Sequence, residues 1–278
     1  MRNSFFTYIA RNNTMALLGL AALVIIVLAG LLGPHLYPYD PLAIDLDHIK
    51  SPPSLEHPCG TDSTGRDILS RILFGARISL FISITAAFGA MLIGLLFGLL
   101  AGYFSGPIDT GLSMVTDIAL AFPSLLLAIG ITVIFPPGIT TVVIALSLVG
   151  WASFARLVRG LTLSYKESLF VEASRAIGCP TGRILFRHIL PNCVSTILVA
   201  LSLKMGTFIL AESALSFLGL GVQPPIPTWG SMVGLNRMYI HSAPWMVFFP
   251  GLAIAVSTLA FNLLGDALRD YFDPHVNV

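Results

Sequence analysis

The chain has 278 residues, of which 55% are hydrophobic and only 10% charged, and its formal net charge is +1. Soluble domains carry roughly 25% charged residues, so too little polar surface remains here to coat a water-soluble globule, and the apolar content excludes a disordered chain. The near-neutral charge excludes a strong field for nucleic acid, and three scattered cysteines, Cys59, Cys179 and Cys193, suit neither a disulfide framework nor a zinc site.

The remaining class is an all-α integral membrane protein, in which each span needs about 20 apolar residues. Residues 15–33 form the first span. They follow Arg2 and Arg11, the pattern of a cleaved signal peptide, but the apolar run is long and no small-x-small site ends it. Residues 35–77 form a polar segment whose first half, with Pro38, Pro41, Pro52 and Pro53, reads as extended. Thr64 to Asp67 resembles a capping box. Ile68, Leu69, Ile72, Leu73 and Ala76 then follow at helical spacing, which predicts a short amphipathic helix on the membrane surface. Residues 78–104 form the second span, with Gly94, Gly98 and Gly102 as a small-residue ridge for close packing inside the subunit. Residues 112–135 form the third, kinked at Pro123 and closed by Pro136-Pro137-Gly138. Residues 139–154 form the fourth, 193–218 the fifth and 245–264 the sixth, with Trp245 as an interfacial anchor.

Six of the fifteen basic residues, Arg156, Arg159, Lys166, Arg175, Arg183 and Arg187, lie between spans four and five. The positive-inside rule places that loop, residues 156–192, in the cytoplasm, and parity then places both termini there. Arg66, Arg71 and Arg77 in the outer segment run against the rule. Within the loop, Gly178 can adopt positive φ and Pro180 suits a helix start, so it reads as helix, break, helix. Ala173, Ser174 and Ala176 are small enough for a partner to approach, although a hairpin that only stabilises its own bundle has the same composition.

Two charges fall inside span five. Lys204 lies near mid-depth and should face a watery path or a packed partner; Glu212, about 12 Å further along the axis, should sit near the outer interface. Asp117 is placed to reach the cytoplasmic surface, and Asp266, Arg269 and Asp270 read as a solvated, self-paired face. Residues 221–229 read as a re-entrant or surface loop, or as a stiff connector. No His-Glu-x-x-His or phosphate-binding loop occurs, and Gly111-Leu-Ser113 is a weak serine-enzyme lookalike with no histidine in an apolar span to activate it. No catalytic residue and no metal site is therefore assigned.

The spacing Glu172-Ala173-Ser174, then Gly178, then Leu190-Pro191 resembles the EAA motif of permease subunits of ATP-binding-cassette importers. Ser174 stands where the family has a second alanine, and His188 where it has isoleucine. The stretch from His57 through Gly60, Thr61, Asp62, Gly65, Arg66 and Asp67 to Arg77 is similar to the outer segment of the dipeptide/oligopeptide/nickel permeases. Residues 212–221, Pro224-Pro225, Trp229-Gly230, 249–251 and 262–270 extend that likeness, which is strongest to the C-type subunit. The resemblance implies six transmembrane helices, one N-terminal helix (1–34) plus a five-helix importer permease core (78–278), in a prokaryotic plasma membrane. It implies half of a translocation path for di- or oligopeptides, with Lys204 and Glu212 as candidate path residues. Implied partners are a homologous second permease, two cytoplasmic ATPases that bind the ATP and Mg, and an extracytoplasmic binding protein. Glu172, Ala173, Ser174, Arg175, Ala176 and Gly178 would form the ATPase-coupling helix, with Leu190 and Pro191 closing the motif. A nickel importer shares these motifs, and a secondary transporter is the reading from another class, although no internal repeat supports it.

Overall fold

The computed structural model describes residues 14–272 and is built of helices. Arg2 and Arg11 lie outside the described residues. The helices are α1 (Thr14–Leu36), α2 (Ile68–Tyr103), α3 (Pro107–Ala121), α4 (Ser124–Ile134), α5 (Ile139–Lys166), α6 (Leu169–Ala176), α7 (Thr181–Phe217), α8 (Trp229–Asn236) and α9 (Trp245–Phe272). Among the described residues, five helices are long and apolar enough to cross a membrane, and α3 with α4 make a sixth span if the bent pair is counted as one.

The expected surface helix before the second span is absent as a separate element. Residues 68–77 are the first three turns of α2, which runs unbroken for 36 residues. No proline interrupts it, and at 1.5 Å per residue it is about 54 Å long, well over the roughly 30 Å of hydrocarbon. Its first turns therefore stand above the apolar layer, wrapped by residues 37–67. The expected kink at Pro123 is a full break of 89° between α3 and α4. Phe122 is extended, as a residue before proline prefers, and Pro123 has no N–H with which to continue the ladder.

The glycine ridge of α2 is a seam with α5. A Cβ on Gly98 would lie 2.6 Å from Val158 Cβ and 2.7 Å from the Ala155 carbonyl oxygen; one on Gly102 would lie 2.5 Å from Thr162 Cβ. Gly89 meets Ser147 in the same way, and the Ser147 hydroxyl donates to the Ala86 carbonyl at 3.1 Å. With no side chains between them the two backbones approach closely, which is the main source of helix association where lipid removes the hydrophobic drive. α1 docks on α2 and α9 through Gly30, which abuts Ala76, and Gly19, which abuts Leu263.

A second tie is polar. Glu212 on α7 is fully buried. Ser216 donates to one carboxyl oxygen at 2.7 Å and Ser79 of α2 to the other at 3.3 Å. The same Ser79 hydroxyl accepts from the Trp229 backbone N–H at 3.4 Å. Thr228 caps α8, and Trp229, which follows, donates its indole N–H to the Ile72 carbonyl at 3.0 Å. One carboxyl group thus joins α2, α7 and the start of α8. The stretch 221–229 is accordingly a connector that delivers a short buried helix against α2, α7 and α9.

Two stability measurements test these ties. Gly98→Leu should cost about 1–3 kcal/mol or more through overpacking and lower the melting temperature in detergent, while Gly111→Leu, where a Cβ meets nothing within 4 Å, should not. Glu212→Leu strands the Ser79 and Ser216 hydroxyls at about 1–3 kcal/mol each and should lower the melting temperature clearly, whereas Glu212→Gln should stay near wild type.

Candidate functional site

The residues singled out above fall into three places. The outer motif is a knot, not an open recognition surface. Thr61, Asp62 and Asp67 are all buried. Asp62 accepts from the Thr64 backbone and hydroxyl at 2.8 Å each, and from Arg66 Nε at 2.7 Å; Arg71 Nε lies 3.6 Å away. The helix cap is Asp67 rather than Thr64, because Asp67 accepts from the Ser70 N–H at 2.7 Å while Thr64 turns to Asp62. Its other oxygen meets His57 Nδ1 at 2.8 Å. Thr61 hydrogen-bonds the His48 carbonyl and accepts from the Ser51 N–H at 2.8 Å. Gly65 has φ +78°, and a Cβ there would overlap the Asp45 carbonyl oxygen. Gly60, at φ +73°, packs under Trp245 in the same manner. Burial, with the Asp67 charge beside it, pushes the Tyr37 hydroxyl up to about 12. Burial also pushes the Cys59 thiol up to about 11, so it is a poor thiolate.

The second place is the loop between α5 and α7. α6 starts after Ser168 and stops at Ala176, and its end is a Schellman motif. The Cys179 N–H donates to the Ser174 carbonyl at 3.0 Å, the Gly178 N–H to the Arg175 carbonyl at 2.9 Å, and Gly178 takes φ +74°. Ser174 and Val171 face inward, and the Ser174 hydroxyl donates back to the Phe170 carbonyl at 2.7 Å. The family alanine is thus replaced without leaving a polar group unpaired. Glu172, Ala173, Arg175, Ala176 and Gly178 are exposed, as are Leu169 and Ile177 at 83% and 81%. Arg175 lies over the Tyr103 ring at 5.2 Å. Beneath α6, Val171, Ile184, Leu185, Ile189, Cys193 and Ile197 form one cluster with Leu99 of α2 and Val158 of α5. Residues Ile184–Ile189 make a π-helical turn, in which the Leu190 N–H reaches the Leu185 carbonyl. Leu190 and Pro191 then continue α7 without a break, Leu190 half-buried and Pro191 exposed.

The third place is the middle of the membrane. Lys204 sits midway along α7, half-buried, with its Nζ 5.7 Å from the Phe208 ring centroid. Among the described residues it has no ion-pair partner. A charge at mid-depth costs about 2.5–3.5 kcal/mol or more, so it needs water or an anion from outside the chain. It lines a cavity of about 250 Å³ with Ser153, Phe154, Leu157, Ala200 and Thr207. Glu212, expected near the outer interface, is instead sealed in its hydroxyl network and reaches no open path. Sequence separation hid this, since Ser79 lies 133 residues away.

Two ion pairs went unforeseen. Asp109 accepts bidentately from Arg159 at 2.6 and 2.8 Å, and Asp117 pairs with Arg156 at 2.7 Å. Three of the six loop cations, Arg156, Arg159 and Lys166, therefore belong to α5, and the first two fasten α3. Asp266 and Arg269 are both exposed, as expected of a solvated face, and they border a cavity of about 410 Å³.

Comparison with known proteins places this architecture. Residues 94–278 match the family described as binding-protein-dependent transport system inner membrane component. Residues 9–53 match the N-terminal TM domain of oligopeptide transport permease C. The dipeptide transport system permease protein DppC of Alkalihalophilus pseudofirmus is 44% identical, over 95% of this chain and 87% of its own length. The glutathione transport system permease protein GsiD of Pectobacterium atrosepticum is 44% identical over 97% and 90%. The oligopeptide transport system permease protein OppC of Bacillus subtilis is 41% identical over 95% and 87%. A chain of the MetNI methionine ABC transporter, solved in inward facing conformations, shares the fold at a TM-score of 0.61 and 18% identity, covering 73% of this chain and 97% of that one. The apolar helices and these matches together describe a multi-pass protein of the plasma membrane. The chain belongs to the family of binding-protein-dependent transport system inner membrane components, as a C-type permease subunit of an ATP-binding-cassette importer.

Proposed function

We propose that the chain forms half of the translocation path of an ATP-driven importer for di- and oligopeptides. The observation that carries the peptide reading is the agreement of three relatives, named for dipeptide, glutathione and oligopeptide transport, over nearly the whole chain. A homologous second permease completes the path, two cytoplasmic ATPases bind ATP and Mg, and an extracytoplasmic binding protein delivers the substrate. The six basic residues from the last turns of α5 to the start of α7 support a cytoplasmic loop and cytoplasmic termini.

In this reading α6 is the piece an ATPase receives. Its open face carries small side chains at Ala173 and Ala176, its ends carry exposed Leu169 and Ile177, and its stop is fixed by Gly178. The buried cluster beneath it joins α2, α5 and α7. Close-packed side chains transmit displacement instead of absorbing it, so movement of a docked ATPase tilts those three helices as a body.

Two measurements test this. Gly178→Val puts a β-branched residue at φ +74°, a strain of about 1–2 kcal/mol, and Glu172→Lys reverses a charge on the open face. In proteoliposomes with all subunits, both changes should cut uptake about tenfold while ATP hydrolysis continues. Full uptake with full substrate stimulation would remove the coupling role. For the substrate, the cognate binding protein should be stabilised by about 2.7 kcal/mol at a hundredfold excess of a peptide over its Kd, and not by Ni²⁺. The reverse outcome would make this a nickel importer.

A further inference from the structure

Lys204 is a cation at mid-depth with no ion-pair partner among the described residues, and the cavity in front of it neighbours a second one. The cavity at Lys204 and the one bordered by Asp266 and Arg269 share Leu157, Ala200 and Leu203. We infer that the two make one lane along α5, α7 and α9. Its polar side chains are Ser153 and Thr207 at the Lys204 end, and Ser195, Thr196, Asp266 and Arg269 at the other. From Lys204 to Ser195 is nine residues of α7, about 14 Å. An extended peptide advances about 3.3–3.6 Å per residue, so the lane accommodates a peptide of about four residues.

Polar lining, an unpaired cation and open volume at membrane depth are the marks of a route for a hydrophilic solute. Lysine offers a point charge with three donors and no acceptor. Its complement is an anionic oxygen. Glu212 cannot supply one, because it is fully buried and its two carboxyl oxygens are held by Ser79 and Ser216. Asp109 and Asp117 are engaged by Arg159 and Arg156. The geometry points to Lys204 as the specificity residue of the path, pairing with the free terminal carboxylate of a peptide in transit while the chain lies toward Asp266 and Arg269. The assignment rests on the peptide reading above. It narrows that reading to substrates that carry a free carboxylate.

The test uses the complete transporter with both permeases, ATPases and binding protein in proteoliposomes, and two probes, tri-alanine and tri-alanine amide. The effect of each substitution is read within one probe, as variant over wild type, so discrimination by the binding protein cancels. Lys204→Met should lower tri-alanine uptake roughly ten- to hundredfold, as expected for loss of a charge-assisted pair. Lys204→Arg should restore most of it, and the amide should lose far less. Co-purification of the ATPases checks assembly, and Lys204→Gln serves as the neutral variant if the methionine form does not assemble. Equal losses for both probes would overturn the assignment and make Lys204 a contact with the second permease. Wild-type tri-alanine uptake by the neutral variant would also overturn it. If the wild-type complex imports neither probe, the peptide reading itself fails and takes this assignment with it.

Discussion

The structure depends on the close approach of α2 to its neighbours. In a bilayer the lipid tails are as apolar as the side chains, so helices gain little from hiding leucine against leucine and must rely on intimate contact. The glycines of α2 allow that contact along α5, and its length lets one rod touch every functional region. At one end Asp67 caps it inside the outer knot. Further along, Ser79 joins the Glu212 network. At the other end Leu99 belongs to the cluster under α6, and Tyr103 lies beneath Arg175. A shift at either end of such a rod is felt at the other.

The polar groups sort by whether their needs are met within the chain. Glu212 is satisfied by hydroxyls alone, with no cation beside it, and so serves as a joint. Asp109 and Asp117 are satisfied by arginines of α5 and hold the broken span in place at its base. The knot at Asp62 and Asp67 is satisfied several times over and keeps the outer segment in one conformation. Lys204 is the contrast: its partner has to come from outside. A charge kept at mid-depth without an internal partner is costly, and that cost makes sense where a second molecule offsets it in passing.

The loop between α5 and α7 combines a capped helix with a π-helical turn. The Schellman stop at Gly178 and the buried Val171 and Ser174 set the position of α6 against the bundle. The π-helical turn at Ile184–Ile189 follows directly and leads into α7, the helix that carries both Lys204 and Glu212. One continuous helix therefore joins the loop proposed to receive the ATPase to the lane proposed for substrate.

The sequence by itself determined the class, the number of spans, the break after Ala176 and the need for glycine at 178. Each is written in local chemistry: hydropathy over about 20 residues, basic residues in one loop, or the single residue type that tolerates positive φ. Only the tertiary structure decided the rest. Residues 68–77 have the period of a surface helix, but the outer segment folds around them and makes them the top of α2. Pro123 signals a bend, yet the 89° angle comes from how α3 and α4 pack on different parts of α5. Glu212 and Lys204 are both charges in one apolar span. They differ because one meets Ser79 of a helix 133 residues away and the other meets open space. Position along a span fixes depth, but the azimuth toward core, lipid or path is set by neighbours distant in sequence, and no local pattern carries that information.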